Sequence, residues 1–403
     1  MNVLLIAEYF PYPPDNGAKI RTWYLLKGLC QAHKVTLASF LHQGENDREA
    51  ITEVSRYCDV LVCPPPPEIP LWRKSINAFS LTPLGVWRRS SSLLKSVVDG
   101  VVQKHSIQVL MVEELWMSQY VLDLPIYKVI DKLNIEFVRA YRRLHTLTSY
   151  ASPLDWIRWL VYRGVALRLK RYELNVVSRF NRVIVCSEND AELLLKYAKK
   201  DLNVEVVPNG VDIDYFTPDP KLEDESKNII VYTGAFMYEP NVDAVFFFVQ
   251  QILPVIYRAF PDARFVIVGS DPPSRLARLS DLDPRIVVTG YVSDIRPFLA
   301  RAKVFVVPLR MGSGTRLKIL QAMAMGKAIV STTIGCEGIA AKNGEHLLIA
   351  DSPFEFAQAV IKLLKDETLR RKLGKQARLL AQREYAWQKS QAKLLSIFEN
   401  IKL

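Results

Sequence analysis

The stretch PLRMGSGTRLKILQAMAMGKAIVS, residues 308–331, decides the fold class. It is typical of a strand that ends at Pro308, a loop with two glycines, a helix that begins near Thr315 and a further strand. Strand, tight turn and helix in that order form the unit from which parallel sheets covered by helices are built. We therefore expect an α/β domain with a ligand site at the carboxyl end of the first of these strands.

The same alternation of short apolar runs and amphipathic helices extends outward from this stretch over nearly the whole chain. Buried strands are predicted at residues 3–7, 35–40, 60–63, 109–112, 128–131, 182–186, 229–233, 264–269, 286–289, 304–308 and 328–331. The predicted helices lie at residues 19–32, 153–177, 241–258, 316–325, 353–380 and 386–401. This order indicates doubly wound parallel sheets, and no short repeat suggests a solenoid.

A change of composition divides the chain. Residues 203–228 are rich in Pro, Asn, Asp and charged side chains, which is typical of a linker between domains. We predict a first domain over residues 1–208, a second over 209–382, and a helix over 383–403 that packs back on the first. Two such sheets would present the carboxyl ends of their strands to a shared cleft.

Composition excludes several classes of protein. The chain has 403 residues, of which 49% are hydrophobic and 24% are charged, so it is neither disordered nor collagen-like. Its five cysteines form no Cys-x-x-Cys pair, which argues against a disulfide framework and a zinc site. No signal peptide or membrane-spanning run is expected. The sequence predicts a cytoplasmic protein, with peripheral association at the inner face of the membrane left open.

The loop at Gly312 and Gly314 is the strongest candidate for an anion site. Its glycines let backbone N–H groups approach a ligand, and the dipole of the following helix favours negative charge. Arg316 and Lys318 fall in the predicted first turn, where cations are disfavoured unless an anion binds or water surrounds them. A bound diphosphate is one explanation and a solvated helix start is the other. The spacing fits neither a Walker loop nor a dinucleotide fingerprint.

A second candidate loop lies near the N-terminus. The segment EYFPYPPDNGAKIRTW, residues 8–23, joins the first strand to a helix, with Gly17 at the turn. Arg21 lies one helical turn later, on the face expected to be reached from the loop, and is a candidate for contact with the acceptor or the sugar. The alternative is an ordinary turn followed by a solvated arginine.

Two segments mix tryptophan with arginine. They are residues 70–95 and 153–171, and the net charge of +11 includes ten Lys or Arg between Arg139 and Arg182. Basic amphipathic helices with Trp can lie in an anionic membrane interface. The competing hypothesis, which we favour from sequence, is that these aromatic side chains pack in the core and the arginines are solvated. No nucleic-acid module accompanies the charge, so no nucleic-acid partner is predicted.

Six segments together resemble a known family. Besides residues 308–331, they are PNGVD at 208–212, YTGAFMYEPNVDA at 232–244, VIVG at 266–269, GYVSDIRPFLARA at 290–302 and GCEGI at 335–339. They are similar to the GT-B retaining glycosyltransferases, the family that includes sucrose synthase and many bacterial mannosyl- and glucosyltransferases, and within it to an exopolysaccharide-associated branch. The resemblance implies two Rossmann-like domains facing a cleft and transfer of a sugar from a nucleotide-diphosphate sugar to a saccharide or lipid-linked acceptor.

The resemblance also assigns roles to residues. Arg316 and Lys318 would neutralise the departing diphosphate. Residues implied in donor binding are Gly17, Gly234, Gly290, Tyr291, Val292, Gly312, Ser313, Gly314, Thr315, Gln321 and Glu337. It implies no cofactor beyond the donor itself. No Asp or His cluster has the spacing of metal ligands, so a metal-independent reaction is expected.

Several positions depart from the family pattern. Gln321 and Ser313 stand where the family often has two glutamates, and the basic residues common after Gly234 are absent. The histidine that contacts the sugar is also missing, and Asn134 or the pair Glu113 and Glu114 fall where it is expected. These two acids would bind sugar or acceptor, or be solvated loop acids. The departures keep open a non-catalytic nucleotide-sugar-binding subunit, and a GT-B-type sugar-nucleotide epimerase is a further alternative.

Overall fold

The computed structural model describes residues 1–41, 47–77, 80–146, 153–198, 201–222, 227–312 and 314–402. The chain forms two compact units. The first comprises Met1–Pro208 together with Ser390–Leu403, and the second comprises Asn209–Lys389.

The first unit is built on a sheet of seven parallel strands in the order β3-β2-β1-β4-β5-β6-β7. The central strand β1 pairs with β2 and β4, so that Val3 lies opposite both Val35 and Val109. Its apolar side chains are almost completely buried, as expected for a strand covered by helices on both faces. The strands are β1 Asn2–Tyr9, β2 Lys34–Phe40, β3 Asp59–Cys63, β4 Val109–Glu113, β5 Tyr127–Lys132, β6 Arg182–Val185 and β7 Val204–Val206.

Eight helices accompany this sheet, and a short 3₁₀ segment at Leu115–Tyr120 follows β4. Polar side chains begin several of them: Asn16 accepts from the N–H of Lys19, and Ser187 from that of Asp190, as N-caps do. The helices are α1 Gly17–Leu29, α2 Asp47–Ser55, α3 Leu71–Asn77, α4 Leu84–Trp87, α5 Ser92–Lys104, α6 Glu136–Thr146, α7 Pro153–Val177 and α8 Glu188–Tyr197.

The second unit contains a six-stranded parallel sheet in the order β10-β9-β8-β11-β12-β13. Its strands are β8 Ile229–Thr233, β9 Arg264–Val268, β10 Ile286–Val288, β11 Val304–Val307, β12 Ile329–Ser331 and β13 Leu348–Ile349. Its helices are α9 Glu239–Phe247, α10 Leu253–Ala259, α11 Ser274–Ala277, α12 Leu279–Leu282, α13 Arg296–Arg301, α14 Leu317–Ala324, α15 Pro353–Lys365 and α16 Glu367–Glu384. The two sheets confirm the predicted α/β class with two parallel, doubly wound sheets.

The last helix, α17 Trp387–Glu399, begins at the end of the second unit and continues into the residues that pack with the first. Ser390 donates a hydrogen bond from Oγ to the carbonyl of Pro208 at 2.8 Å, and Gln391 donates from Nε2 to the carbonyl of Tyr24 at 2.7 Å. The second unit extends to Lys389 rather than ending at 382, since α16 continues to Glu384 and Ala386 still pairs with Val211.

Two predicted boundaries are wrong. The linker expected at 203–228 begins with β7, which pairs with β6 as the edge of the first sheet. The helix expected over 353–380 is two helices, because the Asp366 carboxylate accepts from the N–H of Leu369 at 2.8 Å and begins α16. The helix expected over 241–258 is confirmed as Glu239–Ala259, which contains a π-helical turn at Phe248–Ile252 between α9 and α10.

One helix among the described residues, Glu239–Ala259, is long and apolar enough to cross a membrane by length and composition alone. Its inward face, with Val245, Phe248 and Ile252, is fully buried in the core of the second unit. We therefore interpret it as a core helix of this unit.

All five cysteines are free thiols. Although Cys30 and Cys58 are distant in sequence, each thiol shifts the pKa of the other, downward for Cys30 and upward for Cys58. Cys30 ends α1 and Cys58 precedes β3, so the contact lies within the first unit.

Candidate functional site

The strand order of the second sheet reverses between β8 and β11. Because ligands on open parallel sheets bind beyond the carboxyl ends of the strands at such a point, this edge is the first place to look for a site. Gly234 directly follows β8, and the loop with Gly312 and Gly314 follows β11. The predicted phosphate loop therefore lies at the switch point of its sheet.

The glycines of this loop adopt backbone conformations that other residues avoid. Gly312 has φ of 122° and Gly314 has φ of 76°. A Cβ at Gly312 would lie 2.8 Å from Nη2 of Arg316, so a side chain there would displace the guanidinium. Ser313 lies outside the described residues. The glycines thus let the loop close tightly around Arg316.

Arg316 is the N-cap of α14 and lies outside the helix. The prediction that it belongs to the first turn is therefore wrong. Its side chain is only 8% exposed and donates from Nη1 to the carbonyl of Gly314. Thr315 beside it is also buried. The solvated helix start that sequence left open is therefore wrong, because this cation is held inside the loop.

Lys318 extends from the first turn of α14 toward the end of β8. Its Nζ donates to Oη of Tyr232 at 3.0 Å and to Oδ1 of Asn241 at 2.9 Å, and lies 4.1 Å from the centre of the Tyr232 ring. Burial, and secondarily the charge of Arg316, holds the pKa of this ammonium well below its usual range. Both acceptors are neutral, so no carboxylate in this group balances the charge.

Tyr232 and Asn241 were missed by sequence reasoning. Tyr232 is buried in β8 and donates from Oη to Asn241 Oδ1 at 2.8 Å, while Asn241 donates from Nδ2 to the carbonyl of Ala235 at 2.7 Å. The available signal was a tyrosine just before the Gly234 turn and an asparagine after the next proline. Neither residue type indicates a lysine partner without the fold.

Gly234 has a packing role in this arrangement. A Cβ there would approach Nζ of Lys318 and the amide of Asn241, each at 2.9 Å. Its backbone N–H already donates to the carbonyl of Val268 at 2.9 Å, so this amide takes part in the hydrogen bonding between β8 and β9. The absence of a side chain at this position is what lets Lys318 reach Tyr232.

The remaining donor-site candidates of the second unit lie after other strands or along α14. Gly290 has φ of 70°, Tyr291 exposes its ring and Val292 packs against the core. Gln321 is half-buried in α14, and Glu337 is half-buried in the turn after β12. All these strands are parallel, so the loops that follow them share one edge of the sheet.

The turn that carries Glu337 depends on Gly335 for close packing. A Cβ at Gly335 would lie 2.3 Å from Oγ of Ser331 and 2.7 Å from the carbonyl of Val307. The N–H of Gly335 donates to Oγ1 of Thr332 at 2.9 Å. Glycine is therefore needed here for structure, whatever ligand Glu337 contacts.

In the first unit, Glu113 is the last residue of β4 and Glu114 follows it, and both are buried, so they are not solvated loop acids. The hydroxyl of Thr22 in α1 donates to Glu113, and burial raises the pKa of that carboxyl well above its usual range. Glu114 has φ of 66°, which is strained for a residue with a side chain. Burial raises its pKa to about 8, against the opposing charge of Lys132.

Arg21 is completely buried, contrary to both alternatives proposed from sequence for its side chain. Its Nε and Nη2 each lie 2.7 Å from the carboxylate of Asp131, and Nη1 donates to the carbonyl of Val207 at 3.0 Å. The guanidinium thereby ties α1 to β5 and to the end of the sheet. It is placed to hold α1 in position, away from solvent.

A second buried ion pair lies beside it. Lys132 Nζ is 2.8 Å from Oε1 of Glu173, and both side chains are completely buried. Glu173 in α7 also accepts from the backbone N–H of Glu136 at 3.1 Å and of Phe137 at 2.8 Å, at the start of α6. Asn134 is half-buried in the loop just before. The two residues are 41 positions apart in sequence, and no local sequence pattern predicts that they form an ion pair.

Gly17 is exposed and is the first residue of α1, directly after the Asn16 cap. It lies at the N-terminus of a helix, where backbone N–H groups point outward. The Asp-x-Asp sequence at Asp212 and Asp214 is a turn, because Asp212 Oδ1 accepts from the N–H of Asp214 at 3.2 Å and of Tyr215 at 2.9 Å. Within the described ranges, no group of three metal-ligating side chains is found.

The predicted burial of the tryptophans in the two basic segments is wrong for two of them. Trp72 in α3 is 63% exposed and Trp156 in α7 is 53% exposed. Trp87 and Trp159 are half-buried, and Phe79 lies outside the described residues.

Comparison with known proteins identifies the class. Residues 227–366 match the family of group 1 glycosyl transferases. Over 274 residues, 61% of this chain and 70% of the relative, the sequence is 25% identical to the Escherichia coli UDP-Gal:alpha-D-GlcNAc-diphosphoundecaprenol alpha-1,3-galactosyltransferase.

Solved structures share the fold over almost the full length. Sucrose-phosphate synthase from Thermosynechococcus elongatus superposes with a TM-score of 0.72 at 14% identity, covering 99% of this chain and 98% of the other. Anabaena HepE, solved in complex with UDP-glucose, has a TM-score of 0.67 at 13% identity, covering 99% and 100%. The two units are thus those of the GT-B fold. The second unit thus carries the match to the group 1 glycosyl transferases, and the relatives indicate that the chain is a transferase.

Proposed function

We propose that this enzyme transfers a sugar from a nucleotide-diphosphate sugar to a saccharide or lipid-linked acceptor, with retention, in the synthesis of a bacterial polysaccharide or glycoconjugate. The observation that carries the proposal is the pair of desolvated cations, Arg316 and Lys318, at the start of α14. A diphosphate there would meet two positive charges and the amino end of a helix. The relatives' donors and acceptors, a UDP-sugar and a diphosphoundecaprenol-linked sugar, support the same substrate classes.

The reaction needs charge stabilisation on the leaving group. The bond between the anomeric carbon and the β-phosphate oxygen breaks, so negative charge grows on the diphosphate as it departs. The acceptor oxygen bonds to the anomeric carbon, and its proton passes to the departing phosphate. We assign no side chain as base. Fixed cations that are already desolvated stabilise this charge without reorganising water, and such stabilisation commonly contributes more to the rate than any other effect.

Other residues are proposed to position the substrates. Gln321 and Glu337 would bind hydroxyl groups of the donor, Tyr291 would contact the base, and Gly17 would let α1 approach the phosphates. Glu113, Glu114 and Asn134 would serve the sugar or the acceptor. We further propose that the reaction requires no cofactor or metal and takes place in the cytoplasm, at the inner face of the membrane.

A donor screen tests the proposal. The purified chain is incubated with UDP-, GDP- and ADP-sugars, with and without saccharide and polyprenyl-diphosphate-linked acceptors, and release of nucleoside diphosphate is measured. We expect release that depends on one acceptor class. Tight donor binding with no release under any pairing would instead favour a non-catalytic nucleotide-sugar-binding subunit.

Two substitutions locate the activity. Arg316→Ala and Lys318→Met should each lower kcat about a hundredfold, as loss of one charge-stabilising group does. Arg301→Ala is the matched control, because Arg301 is an exposed cation at the end of α13. Wild-type kcat in both test variants would remove these residues from the mechanism.

A further inference from the structure

The N-terminal half of α7 stands out from the first unit with apolar side chains in solvent. Ile157 is 57% exposed, Leu160 57% and Val161 60%, and Trp156 beside them is more than half exposed. Farther along the helix, Ala166 and Leu169 are buried, whereas residues 156–165 are exposed or half-buried. Apolar side chains of a helix are normally covered by other parts of the fold, so the exposed half of α7 requires an explanation.

Helical spacing puts these exposed residues on one side and arginines on its flanks. At about 100° per residue, Trp156, Ile157, Leu160 and Val161 occupy a single arc. Arg158 and Arg163 fall just outside its two edges, and Arg163 lies 5.1 Å from the ring centre of Trp159. Long cationic side chains at the edges of an apolar face can extend to lipid phosphates while their stems stay in the apolar layer.

A second exposed apolar group lies beside α7. In and after α3, Leu71 is 79% exposed, Ile76 54% and Leu81 86%, and Trp72 is also exposed. Arg168 of α7 donates from Nη1 to the carbonyls of Asn77 at 2.7 Å and Ser80 at 2.8 Å. These bonds connect the end of α3 and the residues after it to α7, so the two apolar groups are neighbours in the first unit.

We propose that this face, which we call the α7–α3 surface, docks on an anionic phospholipid bilayer. It is defined by residues 71–76 and 156–165. The charge supports a lipid over a protein partner, because Arg73, Lys74, Arg158 and Arg163 flank the apolar residues and these ranges contain no acidic residue. Asp155, just before the second range, lies 3.7 Å from Arg158. Tryptophan together with arginine is the composition of helices that lie in a membrane interface.

Docking of the α7–α3 surface would bring the enzyme to a lipid-linked acceptor in the plane of the membrane. Only this role of the surface rests on the proposed function. Binding would combine burial of the apolar arc with attraction between arginines and anionic headgroups. The second contribution weakens with salt, because screening shortens the range of the attraction. Insertion of the apolar arc, by contrast, persists at high salt.

Vesicle co-sedimentation tests the surface. The full chain is mixed with vesicles of phosphatidylcholine alone or with phosphatidylglycerol added, at low and high salt. We expect binding to the anionic vesicles that high salt weakens, and at least about a tenfold loss of affinity in the double variant Leu160→Glu/Val161→Glu. Leu282→Glu is the matched control, since Leu282 is an isolated apolar residue of the second unit that is 80% exposed.

Two outcomes overturn the proposal. One is no binding to anionic vesicles at low salt, and the other is equal binding by the double variant. Sedimentation velocity without lipid is run in parallel. A wild-type dimer that becomes monomeric in the double variant would show that a second copy of the chain, rather than a bilayer, covers the surface. Turnover with a water-soluble acceptor separates the two proposals: the double variant keeps it if only docking is lost, whereas an inactive wild type that still binds vesicles would refute the glycosyl-transfer function alone.

Discussion

Lys132 of the first unit is buried and Lys318 of the second is half-buried, and the two lysines have opposite electrostatic surroundings. Lys132 lies 2.8 Å from Glu173, and although burial lowers the pKa of its ammonium, the carboxylates of Glu173 and Glu114 raise it further, so the net shift is upward. Lys318 donates to a hydroxyl and an amide, and burial with Arg316 lowers its pKa well below the usual range.

The difference separates a charge that is balanced inside the protein from one that we propose to serve a bound ligand. Lys132 has its counter-charge inside the protein and is satisfied without a ligand. Lys318 is desolvated beside neutral groups, an arrangement that costs stability and that a bound anion would relieve. The comparison therefore predicts that the two lysines respond differently to the same substitution.

Replacing Lys132 gives the largest expected effect on stability. Lys132→Met leaves Glu173 buried without its cation, which should lower the free energy of unfolding by about 3–5 kcal/mol. Lys318→Met should change it by less than about 1 kcal/mol, because methionine fills the same space and no buried charge is left behind. Urea denaturation of both variants measures this. Equal losses would mean that Lys318 is as much a structural residue as Lys132.

Replacing Glu114 is expected to have a smaller effect on the free energy of unfolding, and this effect depends on pH. The pKa of Glu114 is raised to about 8, above that of the unfolded chain, so its contribution to stability is full at low pH and is lost as the pH rises through 8. Relative to Glu114→Gln, the wild type should lose unfolding free energy at up to about 1.4 kcal/mol per pH unit between about pH 5 and pH 8. Thermal and urea unfolding across this range measure it, with Glu49→Gln at an exposed site as control. Parallel pH curves for wild type and Glu114→Gln would show that Glu114 is charged throughout.

The smallest expected effect is the uptake of a fraction of a proton when the nucleoside diphosphate binds. A diphosphate beside Lys318 raises its lowered pKa, so binding of the correct nucleoside diphosphate should take up a fraction of a proton at alkaline pH and weaken as the pH rises. Calorimetry in buffers of different ionisation enthalpy measures the uptake. Lys318→Met should bind without it, and uptake that persists in this variant would assign the proton to another group.

Sequence periodicity predicted the strands well, because a strand buried on both faces leaves a continuous apolar run, as in β1 and β11. It failed where one polar residue decides a boundary: Asp366 begins α16 inside what looks like a continuous helix. It also failed at β7, where three half-buried residues form an edge strand amid polar neighbours.

The site was predictable to the extent that its residues are local. The glycines and cations of 312–318 lie close together in sequence, and their spacing alone indicated an anion site. The partners of these cations are remote: Tyr232 and Asn241 precede Lys318 by 86 and 77 residues. For the same reason the burial of Arg21 against Asp131, 110 residues away, could not be foreseen from the helix that carries it.

A crystal structure of the chain soaked with UDP, GDP or ADP tests the central claim most directly. The diphosphate should lie at the start of α14, with a phosphate oxygen within hydrogen-bond distance of Lys318 Nζ and another beside Arg316. A nucleotide bound elsewhere, with Lys318 still donating to Tyr232 and Asn241, would contradict it.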